Sequence, residues 1–192
     1  MATSRSRHHH YTYDDYLDHD DNSSGRHEFL DGQIYAMAGG SPQHAAICAR
    51  VISALDAQLR GRGCEVYSPD LRVRVLATGL ATYPDATVIS GPLELDPADP
   101  KRHTVTNPML LVEVLSPSTA DYDRGDRLEN YKLIRSLREV VLVAHDERLV
   151  EVWRRVESDQ WVRREARSGV LELTALGCTL DVEDVFRGWL SR

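Results

Sequence analysis

Hydrophobic positions along the chain change their period several times, and each change marks an element. In SPQHAAICARVISALDAQLRGRG, Ile47, Cys48, Val51, Ile52, Leu55 and Leu59 recur at helical spacing. Ser41 can cap the free amides, Pro42 is tolerated at the first helical position, and GRG at 61 to 63 stops the helix. Upstream, Thr12 is a plausible cap for a short helix that buries Tyr16 and Leu17, and RHEFLDGQIYAM reads as two strands around an Asp31-Gly32 turn.

CEVYSPDLRVRVL breaks at Ser68-Pro69 and resumes as a strand, with Leu71, Val73 and Val75 on one side and Arg72 and Arg74 on the other. ATYPDATVIS is a further strand whose Pro84 predicts an edge or an irregular start. The proline-rich segment 91–108 reads as a long loop, and MLLVEVLS as a central strand apolar on both faces. Leu128, Tyr131 and Ile134 predict one helix over 121–137. REVVLVAH and ERLVEVWRRV pair around Asp146, QWVRREA adds a strand after Ser158-Asp159, and LDVEDVFRGWL closes the chain as a helix. The expected architecture is therefore mixed α/β, a strongly bent sheet flanked by helices.

The length of 192 residues suits one domain, expected over 11–192 after a flexible leader at 1–10. No apolar run approaches the roughly 18 residues of a membrane helix, and the start has no apolar signal core, so no membrane partner and a cytoplasmic location are expected. Cys48, Cys64 and Cys178 are odd in number and far apart, which suits reduced thiols. His8, His9 and His10 lie in the polar leader and are not counted as a metal site. With 23 Lys and Arg against 30 Asp and Glu, the formal charge of -7 disfavours a generic polyanion binder. A local basic rim or a bound metal can still offset that balance.

One residue interrupts the central apolar strand: Glu113. A buried carboxylate is costly unless it is paired, hydrogen-bonded or holding a metal. If the strands carrying Asp85 and Glu113 are neighbours in register, the two carboxylates meet, and a hard divalent cation would keep both ionised. An arginine partner for Glu113 and a strand-end cap for Asp85 are the structural alternatives. Glu28 and His44 are further polar residues at otherwise buried positions, although His44 equally suits a satisfied core histidine. Arg127 lies one turn before Tyr131 and, with Lys132 and Lys101, is a candidate to face a phosphate; nearby Arg124 could serve a phosphate, a carboxylate or only solvent.

Together, RHEFLDGQIYAMAGGSPQH, YPDATV, VEVLSPSTADYDRGDRLENY and IRSLREVVLV resemble the Uma2 family of the PD-(D/E)XK nuclease superfamily, over nearly the whole chain from about Tyr11. The resemblance implies a restriction-endonuclease-like core and hydrolysis of DNA phosphodiesters with Mg2+ or Mn2+. It implies Asp85, Glu113 and Glu28 as metal ligands, His44 as a catalytic group, and a homodimer. In this reading Arg127 stabilises phosphate and Tyr131 and Arg124 support the site. The superfamily lysine position holds Leu115, and a lysine that relatives carry in the following helix is replaced by Arg127. Arginine stays charged near neutral pH and is a poor general base. Two alternatives follow: an interaction protein whose chemistry has decayed, and a metal-dependent hydrolase of a small phosphoester.

Overall fold

The computed structural model describes residues 9–117 and 119–188. Most of the expected leader, including His8, lies outside them; the His9 carbonyl accepts a 2.8 Å bond from the Gln33 amide.

Helix α1 (Tyr13–Asp21) starts at a capping box, in which the Thr12 hydroxyl accepts from the Asp15 amide while the Asp15 carboxylate accepts from the Thr12 amide. Strands β1 (His27–Leu30) and β2 (Gln33–Ala36) pair around Asp31 and Gly32, both at positive φ (49° and 71°), the geometry for which an Asp-Gly pair is suited. The long helix α2 (Pro42–Leu59) follows, capped by the Ser41 hydroxyl.

Next come β3 (Cys64–Tyr67), β4 (Arg72–Arg74), β5 (Ala81–Thr82) and β6 (Ala86–Ser90). The irregular start expected at Pro84 is a break that separates β5 from β6 and sends them to different sheets. The 91–108 segment contains a short strand, β7 (Thr104–Val105), which pairs in parallel with β4. It is then followed by β8 (Leu110–Leu115).

The single helix expected over 121–137 is instead two short helices, α3 (Ala120–Tyr122) and α4 (Leu128–Lys132), joined by a wide turn. The backbone leaves helical geometry at Gly125 (φ -97°, ψ -106°), and the chain uncoils after Lys132. Arg155 receives the released carbonyls, donating to Lys132 at 2.5 Å and Ile134 at 2.8 Å. A cation at a helix C-terminus suits both its dipole and its unpaired acceptors.

Strands β9 (Glu139–Ala144), β10 (Leu149–Arg155) and β11 (Trp161–Ala166) form an antiparallel run. A hairpin, β12 (Val170–Leu173) with β13 (Cys178–Asp181), precedes a one-turn helix α5 (Val182–Val185). This hairpin falls where no strand was expected, and the last residues of the expected closing helix lie outside the described region.

Two principal sheets result, in the orders β2-β1-β5-β4-β7 and β11-β10-β9-β8-β6-β3. Strand β8 is central and buried throughout. Leu110, Val112 and Val114 pack toward α2, the β12–β13 hairpin and α5. Leu111 and Leu115 pack on the opposite side with Leu128, Tyr131 and Leu137. Glu113 has the alternation of that second face, so the fold places a carboxylate inside a hydrophobic layer.

Candidate functional site

The β6–β8 ladder pairs Ala86 with Val112 and Thr87 with Leu111. Asp85 stands one residue before the first of these pairs, near enough for its charge to act on Glu113. The break at Tyr83–Asp85 frees the Asp85 side chain from a regular strand. Its Oδ2 accepts the Val114 amide at 2.7 Å and lies 3.2 Å from His44 Nε2. Helix α2 delivers that histidine from its first turn, and the same ring approaches Cys48 Sγ at 3.5 Å through Nδ1.

Glu113 is 4% exposed. Tyr131 donates to its Oε1 at 2.5 Å, and Arg127 Nη1 stands 3.7 Å from Oε2. Burial pushes the Glu113 carboxyl well above its ordinary range, with the charges of Asp85 and Asp123 adding to the effect and Arg127 opposing it. Asp123 is raised as well, chiefly by burial.

Arg127 is drawn into the protein by these acids. It donates to Asp123 Oδ1 at 2.5 Å and to Glu28 Oε2 at 2.8 Å, while the Tyr122 hydroxyl occupies Glu28 Oε1 at 2.5 Å. Burial alone would lower its pKa, but Glu113, Tyr131, Glu28 and Asp123 together raise it, so the guanidinium stays charged. Both Glu28 oxygens are thus engaged by protein groups.

These residues open onto a pocket of about 780 Å3 between the two sheets. Among the described residues, five carboxylates line it, Glu28, Asp85, Glu113, Asp123 and Asp126, against a single arginine, Arg127, and the histidines His44 and His145. Such a balance attracts cations and repels a bare phosphate unless a metal intervenes.

Of the sequence candidates, Asp85, Glu113, Glu28, His44 and Arg127 line this pocket, and Tyr131 bonds Glu113 from behind it. Arg124 does not join them. Its Nε donates to buried Glu151 at 2.8 Å, and the kink at Gly125 separates it from Arg127 by turning the two side chains to different surroundings. The lysine-free reading of the site is also visible in space. Leu115 is buried in the core, Lys101 pairs with Asp21, and Lys132 pairs with Glu129 while its ammonium sits 4.4 Å from the Trp153 ring.

Sequence reasoning missed Tyr122, Asp123, Cys48 and His145. Asp123 was signalled by its i,i+4 spacing to Arg127. Cys48 has the same spacing from His44. His145, whose Nδ1 lies 2.7 Å from the Leu115 carbonyl, reaches the pocket from the end of β9 and carried no local signal.

A mixed α/β fold with bent sheets, flanking helices and an acidic pocket at adjacent strand ends defines a restriction-endonuclease-like class. The chain belongs to the Uma2 family, described as "Putative restriction endonuclease", whose pattern matches residues 13–189. Relatives include uncharacterized protein slr1290 of Synechocystis sp., 34% identical over 91% of this chain and 90% of that protein. Another from the same organism, uncharacterized protein sll1609, is 29% identical over 79% of this chain and 84% of its own length. The fold is shared with the crystal structure of a putative nuclease belonging to DUF820 from Anabaena variabilis ATCC 29413. That match has a TM-score of 0.69 at 17% identity, over 88% of this chain and 93% of that one.

Proposed function

We propose that the protein is a divalent-metal-dependent endonuclease that hydrolyses DNA phosphodiester bonds, with Asp85 and Glu113 holding Mg2+ or Mn2+. The observation that carries this reading is that Asp85, just before β6, and Glu113, in the neighbouring β8, both line a pocket with a large excess of acid. Both offer hard oxygen ligands, and Glu113 has a charge deficit that Arg127 at 3.7 Å does not meet, so the residues fit such an ion. When bound, the ion would supply phosphate polarisation and a more acidic water.

The chain's own groups have separate tasks. The Val114 amide fixes Asp85, and Tyr131 fixes Glu113. His44 has its pKa raised first by its hydrogen bond to Asp85, against the opposing effect of burial, which lets it hold and pass on a proton nearer neutral pH. Arg127 orients Glu28 and Asp123 through its hydrogen bonds to both, and supports phosphate only through a shift of its side chain toward the pocket. Glu28, with both oxygens occupied, contributes to metal binding through water.

Cleavage of plasmid, linear duplex and single-stranded DNA with Mg2+ or Mn2+ tests the reading. Wild-type protein should cut, and a folded Asp85→Ala, Glu113→Ala double mutant should not; equal cutting by both would overturn it. One observation favours a second reading, a noncatalytic interaction protein: Arg127 already acts as an internal cation among Glu28, Asp123 and Glu113. Partner capture unaffected by the double mutation would favour that alternative.

A further inference from the structure

The carboxylate pair does not account for Cys48, which sits one helical turn beyond His44 on the same face of α2 and is 8% exposed. His44, Cys48 and Asp85 each offer one ligand atom, all lying within 4.8 Å of one another. The edges of a tetrahedral zinc site with N, S and O ligands are about 3.5 Å, from bonds of roughly 2.0–2.3 Å. Closing the set therefore takes side-chain movements on the order of 1 Å. Two ligands from one rigid helix turn and a third from the anchored Asp85 carboxylate give a frame on which those movements occur. Gly40 adds room: a Cβ there would collide with the His44 ring.

We infer that His44, Cys48 and Asp85 form a site for a thiophilic divalent cation of the zinc type, distinct in ligand chemistry from the hard-oxygen pair Asp85 and Glu113. A thiolate and an imidazole select zinc-like ions over magnesium, which prefers oxygen and keeps its waters. On binding, the Cys48 thiol releases its proton to solvent as the sulfur–metal bond forms. Three protein ligands would leave a fourth position for water or another ligand, and His44 and Asp85 both line the pocket. Asp85 is common to both sets, so a zinc-type ion and a hard cation compete for that carboxylate. The inference goes beyond the nuclease reading, and its test needs neither DNA nor magnesium.

Cobalt(II) titration of the full chain, followed by absorption, reads the site directly. Expected are one cobalt per chain, tetrahedral d–d bands and a thiolate-to-cobalt charge-transfer band, all removed by stoichiometric Zn2+. The thiolate charge-transfer band separates this site from the histidine-rich leader, which has no cysteine. Cys48→Ser should abolish it, and Cys64→Ser should leave it. Losing a direct ligand should weaken affinity by about 100-fold or more, since even outer partners cost about 10–100-fold. If Cys48→Ser fails the circular-dichroism check for folding, His44→Gln is read instead and should show the same loss of affinity. A wild-type protein with no thiolate band overturns the inference, as does a band of unchanged strength in Cys48→Ser or unchanged affinity in His44→Gln.

Discussion

Two buried arginines, Arg72 and Arg127, gather carboxylates from distant parts of the chain and leave them in opposite electrostatic states. Arg72 is 1% exposed, and all three guanidinium nitrogens have partners. Nε donates to the Tyr83 hydroxyl at 2.9 Å, Nη1 to Thr104 at 3.2 Å, and Nη2 to Asp20 and Asp21 at 2.8 Å each. Lys101 adds a second cation on Asp21, and Tyr83 donates to Asp20. For Asp21 and Asp99, burial acts to raise the pKa, but hydrogen bonds and positive charge prevail and hold both carboxyls low. Around Arg127 the same contest goes the other way. Its Nε has no partner among the described residues, Asp123 and Glu113 are pushed up, and the group borders an open pocket. Donor supply, rather than the presence of an arginine, separates a closed structural lock from a site with unmet negative charge.

The largest expected effect breaks the lock. Arg72→Met should cost about 3–5 kcal/mol in urea denaturation, because it strands Asp20, Asp21 and Asp99 in the interior. Arg127→Met should cost less, since two of its carboxyl partners take up protons readily, and added Mn2+ should recover part of the loss. Equal losses with no recovery by metal would erase the distinction between the clusters.

Metal addition to the wild type comes next. At one hundred times its Kd, Mg2+ or Mn2+ should stabilise the fold by about 2.7 kcal/mol, seen as a rise in thermal midpoint. Glu113→Gln should remove that rise, and Arg72 should have no part in it.

In EDTA, pH separates the clusters with opposite signs. The raised pKa of Glu113 contributes stability fully below the unfolded value of about 4.3, and that stability is lost as pH rises through the folded pKa. The lowered pKa of Asp99 contributes above about 3.9 and is lost as pH falls through its folded value. Each unit of separation is worth about 1.4 kcal/mol. Urea midpoints of wild type against Glu113→Gln should therefore converge toward low pH and diverge as pH rises. Those against Asp99→Asn should converge toward low pH as well, but with wild type the more stable partner above it. A flat difference in either pair would contradict the corresponding sign.

Much of this arrangement was legible in the residues. Strand alternation made the meeting of Asp85 and Glu113 conditional on neighbouring strands, and the antiparallel β6–β8 pairing makes them neighbours. The caps at Thr12 and Ser41 and the Asp31-Gly32 turn are local chemistry, so their elements stand where the pattern put them. The apolar spacing of Leu128, Tyr131 and Ile134 instead suggested one helix, because periodicity cannot reveal that Gly125 kinks the chain and Arg155 draws off its final carbonyls. That same kink sends Arg124 to Glu151. The partners of Arg72 were also hidden: Asp20, Tyr83 and Thr104 converge only through contacts far apart in sequence. Alternation set Arg72 opposite Val73 without showing that its side of the strand is sealed as well.

The smallest effect tests how local the lock is. Thr12 caps the nine-residue helix whose far end carries Asp20 and Asp21. Thr12→Ala should cost about 1 kcal/mol, the usual worth of such a cap. The cap acts on the first turn and Arg72 on the last, so the cost should be nearly the same in an Arg72→Met background. A double-mutant cycle in urea measures the difference, and a coupling well above about 0.5 kcal/mol would mean that α1 and the Arg72 cluster order as one unit. The Mg2+ response should be unaltered by Thr12→Ala, because the capped helix feeds the closed cluster and not the pocket. A lost metal response in that variant would instead tie the two clusters together, through Tyr83, whose hydroxyl belongs to the Arg72 network while its side chain lines the pocket of Arg127.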